Sequence, residues 1–276
     1  MIVVRLSSGI GNQLFQYAFA VYLRDYYGES VYLEKSSFKY RTAQRRCSID
    51  VISDFPVHSD WRIYTNYPKP ICQFYKALFA INPFVKSITD SNLTYPINNK
   101  LLYFDGFWQT DFYITQVKNY KGYFQPKEAM PAFLMQYLED IRLSDSISMH
   151  VRRGDYFSDE FSHRYGVCNE EYYQRALDLM MEKADNRTLF VFSDDLDWVK
   201  NHLSLPHNTV FIRNEDVYPY WYIYLMSFCK DNIISNSSFS WWGAFLNENS
   251  QKKVIAPKSW MVGQEVNIAL ESWIKI

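Results

Sequence analysis

The sequence predicts an α/β fold with parallel sheets, and two observations carry that prediction. Residues 2–6 form a short β-branched run, which is followed by a glycine-containing turn and an apolar, helix-like segment. From about residue 145, strand-like and helix-like segments alternate regularly. Such alternation is typical of parallel strands joined by crossover helices. A length of 276 residues accommodates two such halves, which we expect at residues 1–144 and 145–276.

The first half has its clearest elements at the start. Residues 14–23 place apolar side chains at helical spacing, namely Leu14, Tyr17, Ala18 and Val21, and Gly28 ends the predicted helix. Residues 30–33 are predicted as a second strand. From there to residue 99 the chain is aromatic and interrupted by prolines, so we expect helices and irregular connections.

The second half follows a more regular pattern. Residues 170–184 are predicted as an amphipathic helix, whose apolar face carries Tyr173, Leu177, Met180 and Ala184. Ser193-Asp194-Asp195 is predicted to cap a helix that runs to Leu203. The other predicted helices are 218–228 and 239–246, and the predicted strands are 146–151, 188–192, 210–212, 232–235 and 253–256.

Composition and charge exclude several classes of protein. Aromatic residues make up 18% of the chain, so it can bury enough surface to fold and is not disordered. A formal net charge of −1 argues against a nucleic-acid-binding protein. We find neither a secretory signal nor an uninterrupted apolar segment of about 20 residues. Four cysteines without a CxxC pair indicate reduced thiols. We therefore expect a cytoplasmic protein without a transmembrane segment, and peripheral contact with the inner face of a membrane stays open.

Two adjacent arginines follow the predicted strand 146–151, in the segment His150-Val151-Arg152-Arg153-Gly154-Asp155-Tyr156. Ligands of open parallel sheets bind at the carboxyl ends of the strands, and adjacent side chains on a strand point in opposite directions. One arginine could therefore bind a diphosphate while the other pairs with an aspartate. The alternative is a solvated arginine pair that Asp155 and Asp159 neutralise.

A second polar segment, Phe192-Ser193-Asp194-Asp195-Leu196-Asp197, follows the strand 188–192. A carboxylate at this place can accept hydrogen bonds from a base or ribose, or it can cap the next helix. Asp195-Leu196-Asp197 also matches a DxD metal site, but we expect Asp197 to lie inside the helix. His163 and Cys168 have no third partner that would complete a metal site. We therefore predict no metal.

Two further segments combine small residues with the start of a predicted helix. Asn236-Ser237-Ser238-Phe239-Ser240-Trp241-Trp242-Gly243 could hold a phosphate on backbone N–H groups, or it could be a plain serine cap followed by core tryptophans. Gly9-Ile10-Gly11-Asn12-Gln13 follows the first strand, as in a dinucleotide-dependent oxidoreductase. The acidic residues nearest to the place that such an enzyme requires are Glu29 and Glu34, and neither stands there.

Together these four segments resemble the α-1,2-fucosyltransferases of glycosyltransferase family 11. That family has a GGLGNQLFQYA-like start and HVRRGDY, FSDD and NSSFSWWGA motifs. This chain has SGIGNQLFQYA at residues 8–18 and the other three motifs at residues 150–156, 192–195 and 236–244. Ser8 replaces the first glycine. Gly106-Phe107-Trp108-Gln109-Thr110-Asp111 follows the family's G-Y-x-Q-S-E stretch loosely, a departure that concerns contacts with the acceptor.

The resemblance implies a GT-B-like architecture, in which two Rossmann-like halves with parallel sheets face a central cleft. It implies inverting, metal-independent transfer of L-fucose from GDP-β-L-fucose to O2 of a galactose-terminated acceptor, without a cofactor. The setting would be synthesis of a surface polysaccharide such as an O-antigen. Residues 1–144 would form the acceptor side and residues 145–276 would bind GDP-fucose.

The resemblance also implies which residues act. Arg152 or Arg153 would bind the diphosphate and stabilise its charge as GDP leaves. Asp155 is our candidate general base, and a salt bridge that orients Arg153 is its alternative role. Asn12 would approach the fucose, the FSDD aspartates the guanosine, and Ser237-Ser238 the phosphate. The full set of implied donor-binding residues is Gly11, Asn12, Gln13, His150, Arg152, Arg153, Phe192, Ser193, Asp194, Asp195, Asn236, Ser237, Ser238 and Phe239.

A non-catalytic protein that binds GDP-sugars or glycans on the same scaffold is the alternative function. Such a protein would bind GDP but release none from GDP-fucose in the presence of galactosides. The aromatic residues around 64–75 and 103–113 are expected to stack on sugar rings of the acceptor. Those of the second half, Trp221, Phe228, Trp241 and Trp242, are expected to lie in the core.

Overall fold

The computed structural model describes residues 2–28, 30–35, 38, 46–53, 55–58, 85–90, 101–154, 168–182, 186–263 and 267–276. Contacts between residues divide the chain into two compact units, Met1–Glu128 (unit 1) and Ala129–Ile276 (unit 2). The prediction of two α/β halves is confirmed, since each unit is built on a parallel sheet.

The described residues of unit 1 contain one sheet of five parallel strands in the order β3-β2-β1-β5-β4. The strands are β1 (Ile2–Arg5), β2 (Val31–Glu34), β3 (Val57–His58), β4 (Val85–Ile88) and β5 (Leu101–Phe104). Within the described part of unit 1, the α-helices are α1 (Ile10–Tyr27) and α2 (Phe112–Thr115), and two 3₁₀ turns span Ile49–Val51 and Tyr120–Phe124.

Helix α1 has a glycine at each end. It begins after Gly9 and ends at Gly28, whose φ of 64° lies in the left-handed region and whose N–H donates to the Arg24 carbonyl at 2.9 Å. The face predicted to be apolar is buried, and its residues are Leu14, Tyr17, Ala18 and Val21. This burial fixes the start of α1, and the turn before it, against the sheet.

The described residues of unit 2 contain one sheet of six parallel strands in the order β11-β10-β9-β6-β7-β8. The strands are β6 (Ser146–Val151), β7 (Thr188–Ser193), β8 (Thr209–Phe211), β9 (Asp231–Ile233), β10 (Val254–Ala256) and β11 (Ile274–Lys275). The helices among the described residues of this unit are α3 (Ala132–Leu143), α4 (Glu170–Met181), α5 (Leu196–His202), α6 (Tyr220–Phe228) and α7 (Ser238–Phe245).

The connections of unit 2 run outward from β6 in both directions. Strands β7 and β8 follow on one side of β6, and β9, β10 and β11 follow on the other. This is the strand order of the dinucleotide-binding fold. The predicted strands 146–151, 188–192, 210–212, 232–235 and 253–256 are confirmed with ends shifted by at most two residues, whereas β11 was not predicted.

The boundary between the units lies before α3, and not after it as predicted at residue 144. Helix α3 packs on α6 of unit 2, and its apolar residues Leu134 and Ile141 are buried. Near its end, the Arg142 guanidinium lies 4.6 Å from the centre of the Phe228 ring. Through these contacts α3 belongs to the helices that pack around the sheet of unit 2.

The region predicted to be irregular, up to residue 99, contains two described strands, β3 and β4, and β5 follows it; these strands have two to four residues each. Runs this short do not establish a hydrophobic period, and their pairing with distant strands is what makes them strands. Residues 59–84 and 91–100 lie outside the described part of the chain. None of the described helices is long and apolar enough to cross a bilayer.

Candidate active site

Strand β6 lies between β7 and β9, so the residues that follow these three strands meet at one edge of the sheet. The register pairs His150 with Phe192 and Met149 with Ile233. Connections leave β6 towards opposite sides, and in open α/β sheets the crevice at such a switch point is where ligands bind. We call residues 150–154, 193–195 and 234–239 the unit 2 edge.

An ion pair joins two strands at the unit 2 edge. Arg152 Nη1 lies 2.7 Å from Asp194 Oδ2, and Asp194 Oδ1 accepts the backbone N–H of Arg153 at 2.8 Å. The Arg152 side chain is 33% exposed. One alternative that the sequence left open was an arginine paired with an aspartate beside a second arginine that binds a diphosphate. The paired arginine is Arg152, and its partner is Asp194. Asp155, the candidate general base, and Asp159 lie outside the described residues.

Arg153 packs on an aromatic ring instead. Its guanidinium carbon lies 4.1 Å from the centre of the Trp198 ring, and Trp198 stands in the first turn of α5. A guanidinium over an indole is stabilised by roughly 0.5–2 kcal/mol, depending on how far the pair is desolvated. Nothing in the sequence indicated Trp198, because no local pattern links a helical tryptophan to an arginine that follows a different strand.

His150 is a buried, neutral imidazole. Its Nδ1 lies 2.9 Å from Ser235 Oγ, at the end of β9, and its ring centre lies 5.1 Å from that of Phe239. Burial, and to a smaller extent the charge of Arg152, lowers the pKa of His150 to about 3. The ring is therefore uncharged at neutral pH and connects β6 to β9 without adding to the positive charge of Arg152.

The FSDD motif forms the turn between β7 and α5. Ser193 Oγ accepts the Asp195 N–H at 2.9 Å, and Asp195 Oδ1 accepts the Trp198 N–H at 3.0 Å. Asp195 therefore caps α5, which is one of the two roles that the sequence left open, and Asp197 lies inside the helix as predicted. Phe192 was expected to touch the donor, but its ring is buried within unit 2.

The NSSFSWWGA motif forms the turn between β9 and α7. Ser237 caps the helix, since its Oγ accepts the Phe239 N–H at 3.3 Å. Asn236 is buried and donates through Nδ2 to the Trp260 carbonyl at 3.0 Å. Ser238 is half-buried at the first position of the helix. The core prediction is confirmed for Trp221, Trp241 and Trp242, and Phe228 is half-buried.

A second polar edge lies in unit 1, where β1 and β5 end side by side. We call residues 7–13 and 105–109 the unit 1 edge. Asn12 Nδ2 donates to Ser8 Oγ at 3.0 Å, and Gln109 Nε2 donates to Asn12 Oδ1 at 2.7 Å. Ser8, which stands where the family has glycine, has a φ of 68° in the left-handed region. Gly9 is exposed, and a Cβ there would meet no atom within 4 Å.

Gln13 holds this edge together from inside. Its Nε2 donates to the carbonyls of Ser8 at 3.0 Å and Arg46 at 3.1 Å, while its Oε1 accepts the Ser48 N–H at 2.8 Å. The side chain is fully buried and positions the turn through these bonds, and its contact with the donor stays a prediction. Gly11 is also buried, in the first turn of α1.

Gln16 joins the segments that follow β1 and β5 by hydrogen bonds. The sequence did not mark it as a functional residue. Its Nε2 donates to Ser7 Oγ at 3.1 Å and to the Gly106 carbonyl at 2.9 Å, and its Oε1 accepts the Ser7 N–H at 2.9 Å. The signal that could have found it is a glutamine among apolar residues on the buried face of α1.

Most aromatic residues of 103–113 are buried and cannot stack on a sugar. The exceptions are Phe107, 43% exposed, and Phe112, 53% exposed. Phe107 stands at the unit 1 edge, where Asp90 accepts its N–H and that of Trp108, both at 2.8 Å. The other aromatic region, residues 64–75, lies outside the described residues.

Within the described part of the chain, no three His, Cys, Asp or Glu side chains come together around a point where a metal ion could bind. Cys168, which the sequence paired with His163, is buried, and burial raises the pKa of its thiol to about 12. His163 lies outside the described residues.

The fold is that of GT-B-like fucosyltransferases, as predicted. NodZ α-1,6-fucosyltransferase co-crystallised with GDP matches 89% of this chain and 91% of its own, with a TM-score of 0.51 and 13% identity; a further NodZ structure is from Bradyrhizobium. POFUT1 in complex with GDP matches 91% of this chain and 95% of its own, with a TM-score of 0.52 and 11% identity.

Sequence comparison then gives the family. Residues 69–276 match the model of "Glycosyl transferase family 11". An Escherichia coli α-1,2-colitosyltransferase is 31% identical over 308 positions, which cover 100% of this chain and 99% of the relative. The O-antigen biosynthesis glycosyltransferase WbnK of Escherichia coli is 27% identical over 298 positions, with 98% and 99% covered. The chain belongs to glycosyltransferase family 11.

Proposed function

We propose that this chain transfers L-fucose from GDP-β-L-fucose to O2 of a terminal galactose, with inversion and without a metal ion. The product would be an α-1,2-linked unit of a surface polysaccharide such as an O-antigen, made in the cytoplasm. The names of its two Escherichia coli relatives support an α-1,2 linkage and an O-antigen. The GDP bound by the NodZ and POFUT1 structures supports the nucleotide of the donor.

The observation that carries the proposal is the arrangement of Arg152 at the switch point of unit 2. As the glycosidic bond to GDP breaks, negative charge develops on the diphosphate, and a cation already in place stabilises it. Arg152 is partly exposed and fixed by Asp194 at 2.7 Å. A guanidinium binds phosphate oxygens through charge-assisted hydrogen bonds, which suits the diphosphate of the donor. Arg153, which is stacked on Trp198, would add a second positive charge near the diphosphate.

The sugar of the donor has two candidates. The family resemblance favours fucose, whereas the relative at 31% identity is a colitosyltransferase. Both GDP-sugars would leave the same diphosphate, so the contacts of Arg152 suit either one. The choice of sugar would depend on residues that contact the pyranose, for which Asn12 is the predicted candidate.

The acceptor side is proposed to include the unit 1 edge. Phe107 offers an exposed ring, and Asn12 and Gln109 of the same edge offer amide groups. Aromatic faces and planar amides suit the C–H faces and hydroxyls of a pyranose. Asp155 remains the predicted general base that removes the proton from the galactose hydroxyl.

The experiment that tests the proposal supplies the purified chain with GDP-fucose or GDP-colitose and a panel of terminal galactosides. Released GDP is quantified, and the product linkage is determined by NMR. We expect GDP release that depends on acceptor, an α-1,2 linkage and unchanged rates in EDTA. Loss of activity in EDTA would contradict metal independence and favour the DxD alternative at Asp195 and Asp197.

The same experiment distinguishes the proposed transferase from a non-catalytic binding protein. A protein that binds GDP but releases none from either donor would be a non-catalytic binding protein. Activity with GDP-colitose alone would correct the donor sugar and leave the rest of the proposal in place.

A further inference from the structure

Asp194 was expected to recognise the guanosine of the donor, but its contacts describe another role. One carboxylate oxygen is bonded to the Arg152 guanidinium at 2.7 Å and the other to the Arg153 backbone N–H at 2.8 Å. Asp194 follows β7, whereas both arginines follow β6. The carboxylate therefore ties the turn after one strand to the arginine on the next.

The backbone at Gly154 lies so close to the Asp194 carboxylate that there is no room for a side chain. A Cβ built on Gly154 would lie 2.6 Å from Asp194 Oδ2 and 3.5 Å from its carboxyl carbon. Any side chain at this position would push the carboxylate away from Arg152. Glycine at 154 is thus explained by close approach of Asp194, and the ion pair depends on three residues and not two.

We propose that Asp194 is a positioning residue, which holds Arg152 in the direction of the donor's diphosphate and does not recognise the base. An arginine has several rotatable bonds, and fixing them on binding costs free energy. Asp194 fixes them beforehand, so that the contact with the diphosphate loses less entropy. The inference rests on the proposed function, because it requires a GDP-sugar as donor.

A comparison of GDP with guanosine separates the two roles of Asp194. Binding of each is measured for the full chain, by calorimetry for GDP and by NMR titration for guanosine, with Asp194→Asn and Asp197→Asn. Asparagine can still accept the Arg153 N–H but cannot pair with Arg152. Asp197 is an exposed aspartate in the next helix, which makes it the matched control.

We expect Asp194→Asn to weaken GDP binding by roughly 10- to 100-fold, the worth of a charge-assisted hydrogen bond, and to leave guanosine binding unchanged. Equal losses for GDP and guanosine would overturn the proposal in favour of base recognition. An unchanged GDP affinity would overturn it as well. A wild-type chain that binds no GDP would overturn the proposed function itself, which is a separate result.

Two further variants test whether Asp194 acts through Arg152. In the Arg152→Ala background, adding Asp194→Asn should cost little more, because the arginine that it positions is gone. Additive losses would contradict the positioning role. Gly154→Ala should reproduce the Asp194→Asn pattern, whereas Gly122→Ala, where a Cβ meets nothing within 4 Å, should not.

Discussion

At the unit 1 edge, amide side chains bind backbone groups and one another, whereas at the unit 2 edge the central contact is an ion pair. Gln13 and Asn12 form hydrogen bonds with neutral partners. Arg152 and Asp194 are charged and partly exposed. Yet both edges stand where the first strand of a parallel sheet meets its neighbours on either side.

The difference teaches that the same topology can carry edges of different charge. The cation at the end of β1, Arg5, is already neutralised by both oxygens of Asp105, at 2.7 and 2.9 Å. In unit 2, by contrast, two cations lie at one edge: Arg152 pairs with Asp194, and the Arg153 guanidinium lies over the Trp198 ring. We therefore expect an anionic ligand at the unit 2 edge and hydroxyl groups at the unit 1 edge.

The largest expected effect is on the charged side of this comparison. Arg152→Ala should lower kcat/KM for the GDP-sugar by about 10²–10³-fold, the range found when one group that stabilises developing charge is removed. Steady-state kinetics measure it, with Arg142→Ala as control at the opposite end of the same sheet. A greater loss in Arg153→Ala than in Arg152→Ala would assign the diphosphate to Arg153.

The next largest effect concerns stability and the neutral edge. Gln13→Leu leaves two carbonyls and one N–H without their buried partner, so we expect the free energy of unfolding to fall by about 3 kcal/mol. Urea denaturation measures this loss. Exposed Gln136, in α3, is the control, and Gln136→Leu should change stability by less than about 0.5 kcal/mol. Equal effects of the two substitutions would contradict the positioning role of Gln13.

The buried imidazole of the unit 2 edge predicts a dependence of stability on pH. The pKa of His150 is about 3 in the folded chain and about 6.5 when unfolded. Between these values the unfolded state binds the extra proton, so stability falls as pH falls, by roughly 1 kcal/mol per pH unit. Above pH 6.5 the effect is absent. His150→Asn should show a flatter profile in urea denaturation between pH 4 and 6.5, and identical profiles would contradict the prediction.

A smaller effect is expected for the acceptor. Phe107→Ala should raise the KM for a galactoside by roughly 3- to 10-fold, since an aromatic contact contributes about 0.5–1.5 kcal/mol. The KM for the GDP-sugar and its hydrolysis without acceptor should not change. Phe112→Ala, which removes another exposed ring of the same unit, is the control. A change confined to the donor's KM would move Phe107 to the donor side.

The smallest effect tests the strained backbone at the unit 1 edge. Ser8→Ala and Ser8→Gly both remove the hydroxyl that binds Asn12, but only glycine adopts a φ of 68° without cost. We expect the glycine variant to be more stable than the alanine variant by about 1 kcal/mol. Thermal unfolding of the pair measures this, and the reverse order would mean that the turn relaxes in solution.

Local patterns predicted much of unit 2 and little of unit 1. The caps Asp195 and Ser237 and the strand 146–151 are encoded by neighbouring residues, and all three are confirmed. Strands β4 and β5 have four residues each, and only pairing with each other and with β1 makes them strands. A sequence segment does not contain that information.

The candidate site divides in the same way. The motif His150–Gly154 predicted an arginine at a strand end that pairs with an aspartate, but it could not say which aspartate. The partners that decide each role come from distant segments: Trp198 for Arg153, Ser235 for His150, and Arg46 and Ser48 for Gln13. Capping also competes with ligand binding for the same carboxylates, and only the folded geometry separates the two.

The position of α3 decides where the chain can be divided for separate production of unit 2. A fragment begun at residue 145 would lack α3 and would expose the apolar surface of α6 on which α3 packs. Such a fragment would carry an exposed apolar patch and would be prone to aggregate. A fragment that begins at Ala129 retains α3 over α6. It is therefore the fragment in which GDP binding should be measured.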